Sequence, residues 1–235
     1  MLTKKVLVAV LAATIASTSF AFSLDSVKKV AVGARTACTF AGETATEEGL
    51  AKEQKKLQAN TSAVSKKILA AQSKLAEALD LKQVAANVEA QMKTIKKGNI
   101  SSDNLKKVTT VSADADKAIE EQMKKIDSLD ASQKKVLGES LAEYADAALG
   151  TAQISAKTVQ AGAATACIVS QNPTNAVRIK KQLGFLASSA KTLPGFSKDL
   201  ITTGFSYVKL AKDFGIDTSA ATEKLKSASK IKFEK

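Results

Sequence analysis

The sequence predicts an all-α fold: an elongated antiparallel bundle of about five to seven helices. Three observations predict it. The chain is rich in Ala, Lys, Leu, Glu, Gln and Ser, holds 2 prolines and is poor in aromatic residues, which is helix-forming composition. Apolar residues return at three- and four-residue steps over long stretches. Every predicted turn is short, so consecutive helices are expected to pack as antiparallel neighbours.

The first 21 residues stand apart from this pattern and read as a secretory signal peptide. Lys4 and Lys5 form a positive start, Val6 to Ala16 an apolar run of 11 residues, and Ser19-Phe20-Ala21 a small-x-small cleavage site before Phe22. Spanning a bilayer takes about 20 apolar residues, so the run predicts cleavage rather than anchoring. No cysteine follows it directly, which argues against a lipoprotein. The expected organisation is a signal peptide over 1–21 and a single helical domain over 22–235. Its long-helix core is 22–172, and its basic C-terminal part is 173–235. The protein is then exported, to the periplasm or out of the cell.

Within the domain, Asp25 to about Phe40 reads as a first helix with Val27, Val30, Ala31 and Ala34 on one side, although Gly33 weakens it. Phe40 to Thr44 reads as a turn. Between Gly49 and Gly98 lie 48 residues with neither glycine nor proline. Leu50, Leu57, Val64, Ile68, Ala71, Leu75, Leu79 and then Leu81, Val84, Val88, Met92 and Ile95 keep helical spacing there. An unbroken helix of that length measures about 70 Å. Asn60-Thr61-Ser62 and Asp80 are the places where it would kink, and Lys96-Lys97-Gly98 is a helix stop.

Ser101-Ser102-Asp103 supplies N-cap residues for a helix with the seam Leu105, Val108, Ser112, Ala115, Ile119, Met123, Ile126, Leu129. Asp130 and Gln133 have capping-box spacing and start the next helix, which Asn172-Pro173 stops. Its seam of Leu141, Ala145, Ala148, Ala152, Ser155, Val159, Gly162, Ala166 and Val169 has a heptad rhythm of small residues that lets a neighbour approach closely. Beyond it, Asn175 to Lys191 reads as a basic helix and Leu193-Pro194-Gly195 as a break. Phe196 to Phe214 reads as a more apolar helix, and Asp217 to Lys230 as a short terminal one.

Charge is unevenly spread along the chain. From Phe22 to Asn172 there are 21 basic and 18 acidic residues; from Pro173 to Lys235 there are 12 basic and 5 acidic, a net +7. Such a field attracts anionic partners: a lipid surface, lipopolysaccharide or an acidic protein. Nucleic acid fits poorly, because the lysines are scattered and lack interleaved aromatics. Cys38 and Cys167 are the only cysteines, and in an exported protein they are expected to form one disulfide.

Chemistry has little foothold in this sequence. With no histidine and two widely spaced cysteines, Ser-His-Asp and Cys-His systems and histidine-ligated or structural zinc sites are excluded. No dinucleotide fingerprint, P-loop or nucleophile elbow is present, so neither catalytic residues, nor a cofactor, nor a metal is expected. The densest acids are Asp114, Asp116, Glu120 and Glu121. Their pattern fails as a calcium loop, and with Lys117, Lys124 and Lys125 among them they read as a solvated charged face.

The unusual local feature is a Gly/Phe recurrence at roughly ten-residue intervals: Gly184-Phe185, Gly195-Phe196, Gly204-Phe205 and Phe214-Gly215, flanked by lysines. Two roles are open to these rings: filling an alanine-rich core, or contacting an interface or ligand. The candidate contact residues are Arg178, Lys180, Lys181, Phe185, Phe196, Phe205, Tyr207 and Phe214. The leading expectation is an exported, non-enzymatic helical binding protein that meets an anionic or amphipathic partner through its basic C-terminal third. Peripheral membrane contact and self-association through the small-residue seam are compatible with it. The alternatives are a secreted, membrane-active, pore-forming-like protein that inserts Phe196 to Phe214, and a hydrolase built on paired carboxylates.

Overall fold

Thr46 starts the first described helix by accepting the Gly49 N–H on its hydroxyl at 3.0 Å, with Glu47 and Glu48 in the favourable first turn. The computed structural model describes residues 37–96 and 98–233. Among them a two-strand hairpin, β1 Thr39–Phe40 and β2 Glu43–Thr44, precedes seven helices. These are α1 Glu47–Ala78, α2 Lys82–Thr94, α3 Ser102–Met123, α4 Ala131–Gln171, α5 Ala176–Gln182, α6 Gly184–Asp213 and α7 Ser219–Ser229. The expected signal peptide, its cleavage site and positions 25–36 of the expected first helix lie outside the described residues. Where that helix was expected to end, Thr39 and Phe40 form a strand, and the turn expected at Phe40 to Thr44 is the tight hairpin around Ala41 and Gly42.

The single helix expected between Gly49 and Gly98 is two. Asp80 adopts φ 58°, and the chain folds back so that Ser62 of α1 donates to the Lys96 carbonyl beyond α2 at 2.9 Å. The stop is a left-handed C-terminal cap. Leu81 N–H reaches the Ala76 carbonyl at 2.8 Å and Asp80 N–H the Glu77 carbonyl at 3.0 Å. Asp is one of the few residues other than glycine that enters this region readily. Asn60-Thr61-Ser62, the other suggested kink, continues α1 without interruption.

The starts of α3 and α4 follow the sequence closely. Ser101 caps α3 by accepting the Asn104 N–H at 3.1 Å. Asp130 and Gln133 make the reciprocal capping box at 2.8 and 3.1 Å. At 41 residues, α4 is about 60 Å long and forms the axis of the bundle. Antiparallel α1 lies along one side, where Gln133 meets the Ala78 carbonyl and Lys74 meets Glu143, and antiparallel α6 lies along another, while α7 completes the packing beside Asp146. The seam of α4 is buried as expected through Val159, then drifts to Ala164, Thr165 and Ile168, leaving Ala166 exposed. The adjacent stripe Tyr144, Ala147, Thr151, Ile154, Thr158, Ala161, Thr165 and Ile168, one residue earlier in the same rhythm, stays buried to the end of the helix.

Leu193-Pro194-Gly195 is not a break: α6 runs through it, with Pro194 inside the helix. The discontinuity falls ten residues earlier in the chain, at Leu183, φ −103° and ψ 20°. Leu193, Phe196 and Ser197 are buried on the inner side of α6, and this packing holds the helix together where proline removes one hydrogen bond. Cys38 and Cys167 form the expected disulfide, S–S 2.01 Å, which ties the hairpin to the end of α4.

Candidate functional site

Lysines mark the outer side of the C-terminal third. On α6, Lys191, Lys198, Phe205 and Lys212 recur every seven residues, which places them along one side of the helix, with Lys209 close by. Lys180 and Lys181 are exposed on α5, next to Val177, whose side chain is 83 % exposed. Among the described residues none of these six lysines has a carboxylate oxygen within 4.0 Å. Arg178 differs: its guanidinium makes a bidentate pair with Glu47 at the start of α1, with Nη2 to Oε2 at 2.8 Å. It joins two elements and is less available to a partner than its neighbours.

The rings divide by position along α6. Phe185, Phe196 and Tyr207 are buried and pack into the core, so as contact candidates they are corrected to core residues. Phe205 and Phe214 are half-buried at the core's edge. Phe185, Ser189, Leu193, Phe196, Leu200, Gly204, Tyr207 and Ala211 recur at steps of four, four and three, the spacing of an inward stripe. Gly204 belongs to it because α7 comes very close: a Cβ there would lie 2.7 Å from Leu225 Cδ2.

Asp116 was expected on a solvated face and is buried instead, in a polar cluster between α1, α3, α4 and α6. Its Oδ1 accepts from Gln72 Nε2 at 2.7 Å and from the Tyr207 hydroxyl at 2.9 Å; its Oδ2 accepts from the Tyr144 hydroxyl at 2.9 Å. Burial pushes the carboxyl up from 3.8 to about 6, against the three donors that pull it down. Burial likewise raises both tyrosine hydroxyls well above their ordinary value, so they remain donors at any ordinary pH. Sequence reading missed Gln72, Ser112 and Tyr144 around this carboxylate. The available signal was that the chain has 2 tyrosines in all, and both donate to Asp116.

Three surface depressions accompany these groups. A cleft of about 180 Å³ between α3 and α6 is lined by Thr109, Asp116, Thr192, Gly195 and Asp199. Partial burial raises the Asp199 carboxyl as well. Both oxygens of Asp116 accept hydrogen bonds from the protein, Oδ1 from two donors and Oδ2 from one. A second groove of about 460 Å³ opens at the start of α7, where Lys212 and Lys226 face Asp217 and Glu223. The third, of about 490 Å³, runs between α6 and the C-terminal tail, lined by Lys198, Ile201, Thr202, Ala228, Ser229, Ile231, Lys232 and Phe233. Among the described residues no helix is long and apolar enough to cross a membrane. No protein-family model, curated protein or solved structure matches this chain.

Proposed function

We propose that this is an exported, non-enzymatic binding protein that holds an anionic or amphipathic partner on the basic outer side of α5 and α6. The observation that carries the reading is the set of six lysines, Lys180, Lys181, Lys191, Lys198, Lys209 and Lys212, without carboxylate partners among the described residues. A charge whose field is not cancelled locally remains available to an incoming anion. Val177, exposed beside Lys180 and Lys181, adds an apolar contact to that side. Support for export comes from the signal-like layout of Met1 to Ala21 and from the disulfide. The membrane-active alternative has less support, since inserting Phe196 to Phe214 would pull Phe196 and Tyr207 out of the core and strip from Asp116 the hydrogen bond that the Tyr207 hydroxyl donates.

The test is co-sedimentation with anionic liposomes at low and high salt, with a parallel dye-release trace. Binding at low salt that is lost at high salt, and weakened in Lys180→Glu/Lys181→Glu without leakage, is the expected result. Arg178 is left intact because it pairs with Glu47. Binding indifferent to salt and to both substitutions would overturn the proposal, and leakage would favour membrane insertion.

A further inference from the structure

We infer that the groove between α6 and the C-terminal tail is a seat for a long-chain carboxylate, with its alkyl chain on Ile201, Ile231 and Phe233 and its head group on the Lys198 ammonium. This rests on the proposed function and names a ligand class for the same basic surface.

The apolar floor belongs to a small cluster separate from the main core. Ala152, Ile201 and Ala228 are buried in it, while Leu149, Phe205, Ile231 and Phe233 are half-buried around them. The chain encloses the first three and leaves Ile231 and Phe233 partly open, and these two help to line a groove of about 490 Å³. That volume lies within the range of small-ligand sites. An alkyl chain laid there would complete the burial, at about 0.8 kcal/mol for each methylene removed from water.

Charge selects the head group. Among the described residues the lining holds no carboxylate, and Lys198 has no ion-pair partner. The other two depressions lack this combination: the α3–α6 cleft presents Asp116 and Asp199, and the groove at α7 sets two acids against two lysines. An apolar floor with the Lys198 ammonium at its rim is complementary to an amphiphile with an anionic head. A cationic amphiphile of equal length would bring like charge to Lys198.

The test is calorimetric titration of the purified, disulfide-bonded protein with dodecanoate below its micellar concentration, beside decanoate, acetate and dodecyltrimethylammonium. The expected result is one dodecanoate per chain and decanoate weaker by roughly tenfold, as follows from two fewer buried methylenes. Acetate and the cationic amphiphile should show no binding. Lys198 is exposed, so Lys198→Glu should keep the fold while abolishing dodecanoate binding, and Lys198→Arg should retain it. Phe233→Trp supplies an independent reading: its fluorescence should shift on adding dodecanoate and stay still with acetate. Equal binding of the two head groups, many molecules per chain, or an unchanged Lys198→Glu would overturn the inference, as would no binding at all. Anionic-vesicle binding that responds to salt and to Lys180→Glu/Lys181→Glu in a protein that ignores dodecanoate would sink the groove and leave the proposed function standing. Dodecanoate binding with salt-indifferent vesicle binding would do the reverse.

Discussion

Asp116 is the residue on which pH acts most directly. Unfolded, its carboxyl titrates near the ordinary 3.8; folded, burial carries it to about 6. Between those values the folded chain keeps a proton that the unfolded chain has released. Stability from this group is therefore full at low pH, falls as pH rises through the window from about 4 to 6, and levels off above it, by up to about 3 kcal/mol in all. Glu120, held low chiefly by the hydrogen bond from Lys124, and Asp146, held low chiefly by that from Lys224, act in the opposite sense. The effect is accordingly read as a difference: in urea unfolding from pH 4 to 7.5, Asp116→Asn should gain on the parent protein as pH rises, and a constant gap would refute the assignment. Tyr144→Phe removes the donor to Oδ2 and should cost about 1 to 3 kcal/mol at pH 7.5, less at pH 4.5 where the acceptor is neutral. The acid itself was legible as part of a charged segment, but its burial was not. Asp116 lies four residues after Ser112 and three before Ile119, on the flank of the seam. The i, i+4 pairing with Glu120 masked that position, because sequence spacing does not say which of two adjacent faces a fourth helix will cover.

Along the elements, close approach and backbone strain decide what a substitution does. Gly162 of α4 faces α6, and a Cβ there would sit 2.6 Å from the Ala190 Cβ and 3.4 Å from the Leu186 carbonyl oxygen. Neither obstacle is the end of a flexible side chain, so Gly162→Ala should force the helices apart and destabilise by about 1 to 3 kcal/mol. Gly195, inside α6 with nothing within 4 Å of its added Cβ and no left-handed φ, should respond in the opposite direction. Gly195→Ala should raise stability by about 0.5 to 1 kcal/mol, since glycine in a helix loses more backbone freedom than alanine. Melting curves of the two variants against the parent check both signs, and a shift of the same sign in each would contradict the close packing of α4 on α6. Helix starts were legible here because Ser101 and the Asp130–Gln133 pair are local chemistry. Two helix ends were less so: Asp80 stood out only as one of two places to kink, and the break at Leu183 was looked for at Pro194. The stop at Asp80 is made by a residue that enters the left-handed region less often than glycine does. The Pro194-Gly195 pair, a strong local breaker, is overridden by the buried Leu193 and Phe196 on either side of it.

At the scale of the whole molecule, periodicity and composition carried the fold class, and the cysteine count carried the staple, because long helices and a lone pair of cysteines leave few alternatives. What they left unspecified was how many times the chain reverses, which depends on Asp80 and Leu183. The disulfide closes a loop between positions 129 apart in sequence, linking the hairpin to the far end of α4. In the chain-entropy account such a loop stabilises by up to about 5 kcal/mol, through the freedom it removes from the unfolded chain. Cys38→Ser/Cys167→Ser should then lower the unfolding free energy by an amount approaching that figure while leaving far-ultraviolet circular dichroism unchanged, as urea unfolding of the variant beside the oxidised parent will show. The folded-state share of the loss can be separated from the rest. Apart from the disulfide, the hairpin is held by its own strand pairing, by the bond from the Ala45 N–H to the Cys38 carbonyl at 2.7 Å, and by packing against α4. Were the native contacts of Cys38 the main source of stability, the double serine variant would lose amide-exchange protection selectively around Thr39 to Ala45 with little change in the helices. If the unfolded chain is the source, protection should fall across α1, α4 and α6 together, because every amide that exchanges by global unfolding feels the same loss.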